Sequence, residues 1–450
     1  MLYNCFPAII NSNGSRKSNF MNHSEGNSDM TDKSADRTNM ASDRELTFPA
    51  QDLNISISPE ADYATSDMTC FTGNLAKQVR GRKILVAMSG GVDSSLAAVM
   101  LKEAGAIVEG ATLVMDSASH DSEAGHDSEA GQKAPAQTSF ITPCGTMSTA
   151  SKAAQAAAQA GIPHRILQAG DVFRKEIVEK SIDMYKMGQT PNPCAMCNLH
   201  VKFGLLADAA IEWDFDMIAT GHYTGLAHGP AGEILLSRGA DPSKDQSYFL
   251  FAIGRQRLNR VIFPLSGMLK EQVRAEAAAR NLHAANRPDS QDLCFDLNSL
   301  LADSSKKSGE IINQKGVVLG RHKGIWNYTI GQRKGLGVSY HYPLYVVEID
   351  PAANRVIVGP DKSLFTSGLT ASWETWYPGE APPAEDFCAM VQIRYRAGAV
   401  KAVIRISGKP GSGTLQVLFE KPQRAVTPGQ ALVIYDPTNR ALLGGGWIKG

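Results

Sequence analysis

No uninterrupted apolar run in this 450-residue chain reaches the roughly 20 residues of a membrane span, so no membrane partner is expected. Net charge is missing as well. Lys and Arg number 45 and Asp and Glu 45, which excludes a chain that holds nucleic acid by its overall charge. An RNA site would have to be a local patch. Cysteine is scarce and odd in number: Cys5, Cys70, Cys144, Cys194, Cys197, Cys294 and Cys388. In so long a chain, with no signal peptide apparent, seven cysteines argue against a disulfide scaffold. They predict a reducing, cytoplasmic setting with reactive thiols. Two nucleotide signatures are also lacking, the Walker loop G-x-x-x-x-G-K-[ST] and the dinucleotide fingerprint G-x-G-x-x-G. What is present is ordinary globular material, 43% hydrophobic and 20% charged, enough for two or three domains.

One stretch organises the chain: Ser89-Gly90-Gly91-Val92-Asp93-Ser94. It follows Lys83 to Met88, an apolar run that reads as a buried parallel strand, and precedes Ser95 to Leu101, which reads as a helix stopping at Gly105. Strand, glycine turn and helix together make a phosphate site. The glycines let backbone approach an anion, and the helix N-terminus offers N–H groups and a favourable dipole. Ser89 and Ser94 add hydroxyl donors, and Asp93 can hold Mg2+ on the phosphates. S-G-G-x-D-S resembles the PP-loop of ATP pyrophosphatases, which adenylate a substrate and release pyrophosphate. A capped turn with no ligand is the bland alternative.

Residues 1–80 carry ten acidic and seven basic residues with little periodicity, and read as a disordered extension. Residues 81–288 alternate strands and helices, which predicts an α/β domain with a parallel sheet and its ligand at the strand C-terminal ends. Phe215 to Thr220 is one such strand and delivers Gly221-His222-Tyr223 to that edge. A tandem hexapeptide, residues 120–125 repeated as 126–131, reads as a solvated loop rather than a metal site. Residues 289–367 form a Gly- and Lys-rich central domain with short strands. Residues 368–450 show evenly spaced strands, Met390 to Tyr395, Val400 to Ile406, Thr414 to Phe419 and Ala431 to Tyr435, with Gly/Pro turns, the pattern of a small β-barrel. Arg394, Arg396, Lys401, Arg405, Lys409, Lys421 and Arg424 face a single acid, Glu420, over 391–424; a one-signed face of this kind can track phosphates.

The thiols admit several readings. Thr190-Pro191-Asn192-Pro193-Cys194-Ala195-Met196-Cys197-Asn198 places a C-x-x-C between a proline-stiffened turn and a helix, and a thiol near a helix N-terminus is the more nucleophilic for it. A zinc site would need two further ligands at matching spacing, and only isolated Cys144 and Cys294 are available. A thioredoxin-like pair would need a thioredoxin context. A catalytic thiol with a distant partner is the third reading.

Taken in order, the PP-loop, P-N-P-x-x-x-C-N, A-T-G-H-Y, K-D-Q-S-Y-F-L, D-S-x-x-x-C-F, Y-T-I-G-Q-R-K-G-L-G, R-Y-R and A-V-T-P-G-Q resemble the tRNA-specific 2-thiouridylase family from about residue 82 to the C-terminus. The resemblance implies ATP-dependent 2-thiolation of the wobble uridine of tRNA. The uridine carbonyl would be adenylated and then replaced by persulfide sulfur, delivered by a cysteine desulfurase or sulfur-relay protein. By motif position Cys294 would carry the persulfide. Cys197 would be the second catalytic cysteine, either releasing sulfur from Cys294 through a disulfide or attacking the base. Ala87, Met88, Ser89, Gly90, Gly91, Val92, Asp93, Ser94, Leu113 and Gly221 would bind ATP. Asn192, Pro193 and Cys194 would touch the target base, and His222, Lys244, Asp245, Gln246, Arg394, Tyr395 and Gln430 the tRNA. Two departures stand out: Cys194 occupies a position where many members carry aspartate, and the stretch from Asn298 to Gly309 is short. The competing assignment is another PP-loop synthetase, amide- or thio-forming, although no glutaminase motif accompanies the loop.

Overall fold

The apolar run after Arg82 is the centre strand of a parallel sheet. The computed structural model describes residues 75–115, 145–229, 232–287, 295, 308–379 and 381–450. In it β1 (Lys83–Ala87) buries Ile84, Leu85 and Val86 completely. It pairs in parallel with β2 (Ile107–Val114) on one side. Beyond β2 lies β3 (His164–Gln168), and on the other side of β1 lies β4 (Met217–Ala219). A hairpin follows, β5 (Thr224–His228) and β6 (Ile234–Arg238), before β7 (Val261–Ile262) closes the far edge. The order β3-β2-β1-β4-β7 reverses direction between β1 and β4. A reversal of this kind opens a crevice at the strand C-termini.

Helices cover both faces. α1 (Leu75–Val79) packs Leu75 and Val79 into the core beneath β1, so structure begins inside the stretch expected as an extension. α2 (Val92–Glu103) leaves the glycine loop, and α3 (Met147–Gln159), capped by the Thr146 hydroxyl, lies beside it. A helix over 170–186 and another, Pro193–Glu212, each contain a π-helical stretch, Arg174–Glu179 and Asn198–Leu205. By length and composition Pro193–Glu212 could cross a membrane. Its Ala195, Val201, Phe203 and Leu206 instead lie in the largest apolar cluster, making it a core helix. The tandem hexapeptide and residues 289–294, which include Cys294, fall outside the described residues.

The central domain is a four-stranded sheet: β8 (Gly309–Asn313), β9 (Val318–His322), β10 (Tyr345–Asp350) and β11 (Arg355–Gly359), ordered β10-β11-β8-β9. The last domain has seven strands: β12 (Phe365–Trp373), β13 (Thr375–Trp376), β14 (Phe387–Gln392), β15 (Val400–Ser407), β16 (Gly413–Arg424), β17 (Ala431–Tyr435) and β18 (Leu442–Trp447). The sheet curls until Ala371 bridges Ile448, joining β12 to the chain just after β18, as expected for a barrel.

Polar as well as apolar contacts seat the barrel on the first domain. Tyr377 donates to the Ile253 carbonyl at 2.7 Å and Tyr248 to that of Ala431 at 3.0 Å. At the end of β6, the Arg238 guanidinium donates to Asp245 (2.7 Å), Gln392 (3.0 Å) and Asn439 (2.8 Å), and lies 3.7 Å from the Tyr435 ring centroid. One side chain thus ties the hairpin to three barrel residues. Asp245 is 7% exposed, so Arg238→Ala strands a buried carboxylate. The expected cost is about 3 kcal/mol, the low end for breaking a buried pair, because Gly239 and Ser247 still donate to Asp245. Urea unfolding followed by tryptophan fluorescence measures it as a lowered midpoint.

Candidate active site

The glycine loop is shaped by close approach. Gly90 has φ +70, and a Cβ there would lie 2.9 Å from the backbone of Ala153, so both conformation and space demand glycine. Gly91 is the N-cap of α2 and no side chain caps that terminus. The first-turn N–H groups, which have no intrahelical acceptor, therefore belong to the cavity that Gly91 to Ser94 line. The loop is braced from behind. The Ser94 hydroxyl accepts from the Ser89 N–H at 3.2 Å, and Arg287 donates to the Gly90 carbonyl at 2.6 Å. Thr112 donates to the Met88 carbonyl at 2.7 Å.

β4 delivers Thr220 and Gly221 to the same place. A Cβ on Gly221 would sit 2.8 Å from the backbone of Asp93 and Ser94, so this glycine lets two strand ends close on one helix terminus. The cavity at this crevice has a volume of about 940 Å³. One end is apolar, with Ala87, Ala111, Leu113 and Met115, and suits a purine. The middle holds the loop. The far end is formed by Lys244, Gln392 and the turn Tyr395 to Ala399 of the barrel. Five basic residues, Lys202, Arg238, Lys244, Lys270 and Arg396, line it against Asp93 and Asp245, so it favours polyanions.

Asp93 is not alone there. Lys270 donates to both its carboxylate oxygens, at 2.7 and 2.8 Å, and the Tyr223 hydroxyl donates to Oδ1 at 2.7 Å. Neither partner was identified from sequence. Lys270 begins a helix 177 residues away, and only the A-T-G-H-Y motif pointed at Tyr223. Among the described residues no group of three His, Cys, Asp or Glu could hold a metal ion. Asp93, a carboxylate beside an anion cradle, would hold Mg2+ together with a bound polyphosphate and so supply charge neutralisation.

His222 is buried between Phe203 and Phe263, with Nδ1 2.7 Å from the Thr220 hydroxyl. Burial holds its imidazole well below the ordinary range, and the Lys202 ammonium pushes the same way. It is therefore neutral at pH 7 and meets the cavity as a hydrogen-bonding group rather than a phosphate counter-ion. Asp245 is similarly committed inward, to Arg238, Gly239 and Ser247. Gln246 accepts from the Tyr223 N–H at 3.0 Å. Gln430 donates to the carbonyls of Thr190 (3.0 Å) and Pro191 (2.9 Å), fastening the barrel to the turn before the C-x-x-C. Of the residues expected at RNA, His222, Lys244, Asp245, Gln246 and Tyr395 line the cavity, whereas Arg394 and Gln430 do not.

The strand expected over Met390 to Tyr395 ends earlier, at Gln392. Gln392 donates to the carbonyls of Arg394 and Tyr395, turning the chain so that Tyr395 and Arg396 face the cavity. Arg394 stays half-buried, with Nε unsatisfied. Tyr395 packs on Phe249 at 4.4 Å between ring centroids. Burial raises its hydroxyl, with smaller pushes in the same direction from Asp245 and Cys194.

The thiol helix begins earlier than expected. Asn192 is its N-cap, accepting from the Ala195 N–H at 3.2 Å, and Pro193 is its first residue. Cys194 thus lies exposed in the first turn, while Cys197 sits one turn in, 6% exposed, directly before the π-helical stretch. The dipole argument therefore favours Cys194, not Cys197. Asn198 donates to the Phe249 carbonyl at 3.1 Å and sets the helix against the wall that carries Tyr395.

Three family models match the chain between residues 82 and 448: a tRNA methyl transferase HUP domain over residues 82–297, a tRNA methyl transferase PRC-barrel domain over 298–360, and an aminomethyltransferase beta-barrel domain over 366–448. Among curated relatives, a protein from Geobacter metallireducens is 40% identical over 374 residues, covering 82% of this chain and 96% of its own length. One from Chloroflexus aurantiacus is 42% identical, covering 81% and 98%. One from Magnetococcus marinus is 40% identical, covering 82% and 99%. All three are named tRNA-specific 2-thiouridylase MnmA.

Proposed function

Since the chain belongs to the tRNA-specific 2-thiouridylase family, we propose that it thiolates the wobble uridine of tRNA at carbon 2, adenylating the carbonyl with ATP and supplying sulfur from a cysteine persulfide. The observation that carries this reading is the continuity of one cavity from the glycine loop to the barrel turn at Tyr395. A nucleotide and an extruded base can then meet without leaving shelter from water.

The uridine oxygen attacks the α-phosphorus of ATP, and pyrophosphate leaves. The first-turn N–H groups of α2, with Ser89 and Ser94, hold the triphosphate; Mg2+ bound at Asp93 would supply further charge neutralisation. Adenylation converts a poor leaving group into AMP. The terminal sulfur of a persulfide on Cys294 adds to carbon 2 and AMP departs, leaving the base joined to Cys294 through two sulfurs. The Cys197 thiolate then attacks the Cys294 sulfur. The sulfur–sulfur bond breaks, its electrons form the thiocarbonyl, and a Cys197–Cys294 disulfide remains for an external dithiol to reduce. Cys294 would receive its sulfur from a cysteine desulfurase or relay protein. Arg394, Lys244 and Arg396 would meet the RNA backbone, and a cytoplasmic location belongs to the same reading.

The test is a reconstituted reaction with tRNA, ATP, a cysteine desulfurase and cysteine. Pyrophosphate release that depends on tRNA, with 2-thiouridine found by mass spectrometry of nucleosides, is the expected result. Release that depends instead on a small amine or acid would move the enzyme to the amide-forming synthetases.

A further inference from the structure

Lys270 is the residue of the cavity that neither the motifs nor the reaction above accounts for. Its ammonium bonds both oxygens of Asp93, and Tyr223 adds a third donor, so most of the carboxylate's lone-pair sites are engaged. A metal ion cannot take an oxygen of Asp93 without displacing one of these partners. Lys270 is also the readier to move. Its backbone is pinned, since its N–H donates to Asp241 at 2.9 Å, while its four-carbon stem can swing. The side chain is only 11% exposed and its ammonium lies 5.6 Å from the Tyr223 ring centroid, so wherever it points it must keep an anionic partner. Ser89, Gly91 and Ser94 line the same cavity, and the uncapped α2 terminus makes that spot favourable to a polyanion.

We propose that Lys270 is a positioning and phosphate-binding residue shared between Asp93 and the polyphosphate of ATP. It pairs with the carboxylate when no metal competes and turns its ammonium to the phosphates when metal and nucleotide bind together. The proposal rests on the ATP-site reading of the glycine loop. It makes Mg2+ and Lys270 competitors for Asp93.

The experiment is calorimetric titration of α,β-methylene-ATP over a Mg2+ series, on the full chain, with melting curves alongside. Lys270→Gln should weaken the analogue about tenfold or more at saturating Mg2+, the loss of one charge-assisted contact, and lower the Mg2+ midpoint several-fold. Lys270→Arg should keep most of the affinity. Unchanged affinity and midpoint in Lys270→Gln would overturn the proposal. Equal losses in both variants with a large fall in melting temperature would overturn it too, as a packing role. A wild-type protein that binds no analogue would instead sink the nucleotide reading itself, and that outcome is visible before any variant is made.

Discussion

Cys197→Ser should lower tRNA thiolation by at least about three orders of magnitude while nucleotide binding and tRNA-dependent pyrophosphate release persist. Removing the nucleophile of a coupled pair costs far more than removing a supporting group. The side chain is buried and the change is nearly isosteric, so the fold should hold. Cys294→Ser should have the same effect and should also abolish the alkylation-trapped persulfide. Cys194 is the internal control. It is exposed in the first helical turn. Cys194→Ser should retain much of the activity and Cys194→Asp more, since a carboxylate also caps and complements a helix N-terminus. Inactive Cys194→Ser beside fully active Cys197→Ser would reverse the two roles. The helix starts at Pro193 and its dipole acts on Cys194 first, so the two variants are measured side by side.

The second large effect is at the loop. Asp93→Ala should remove tRNA-dependent exchange of labelled pyrophosphate into ATP to background. It deletes both the carboxylate that would hold a shared metal and the anchor of Lys270. Asp93 is 31% exposed at a helix start rather than packed in the core, so far-ultraviolet circular dichroism should be unchanged. Asp93→Asn keeps the shape and the Tyr223 contact, and should recover little, since neither a metal nor an ammonium is held by a neutral amide. Exchange at wild-type rate in Asp93→Ala would remove this residue from the chemistry.

These two expectations came from different sources. The loop was legible because its chemistry is local. A strand, two glycines, two serines and an aspartate within a dozen residues specify an anion cradle whatever surrounds them, and β1 and α2 formed where the pattern put them. The barrel was legible for the same reason, through alternation and turns, and Ala431–Tyr435 matched to the residue. Local pattern failed where particular hydrogen bonds, rather than alternation, set an end or a pairing. Tyr395 left its strand because Gln392 bonds the carbonyls that follow it. The hairpin Thr224–Arg238 passed unread, its register held partly by Arg440 in the barrel.

The sequence by itself determined the domain order, the parallel sheet with its glycine loop, and the set of residues that chemistry could use. Tertiary structure alone decided which of them meet. It brought Lys270 onto Asp93 across 177 positions, and Gln430 onto the turn at Thr190 across 240. It also turned His222 and Asp245 inward, where burial keeps one neutral and Arg238 neutralises the other. The physical reason is that a side chain's chemistry is intrinsic, whereas its partner, its exposure and its charge state are set by contacts between segments far apart in the chain.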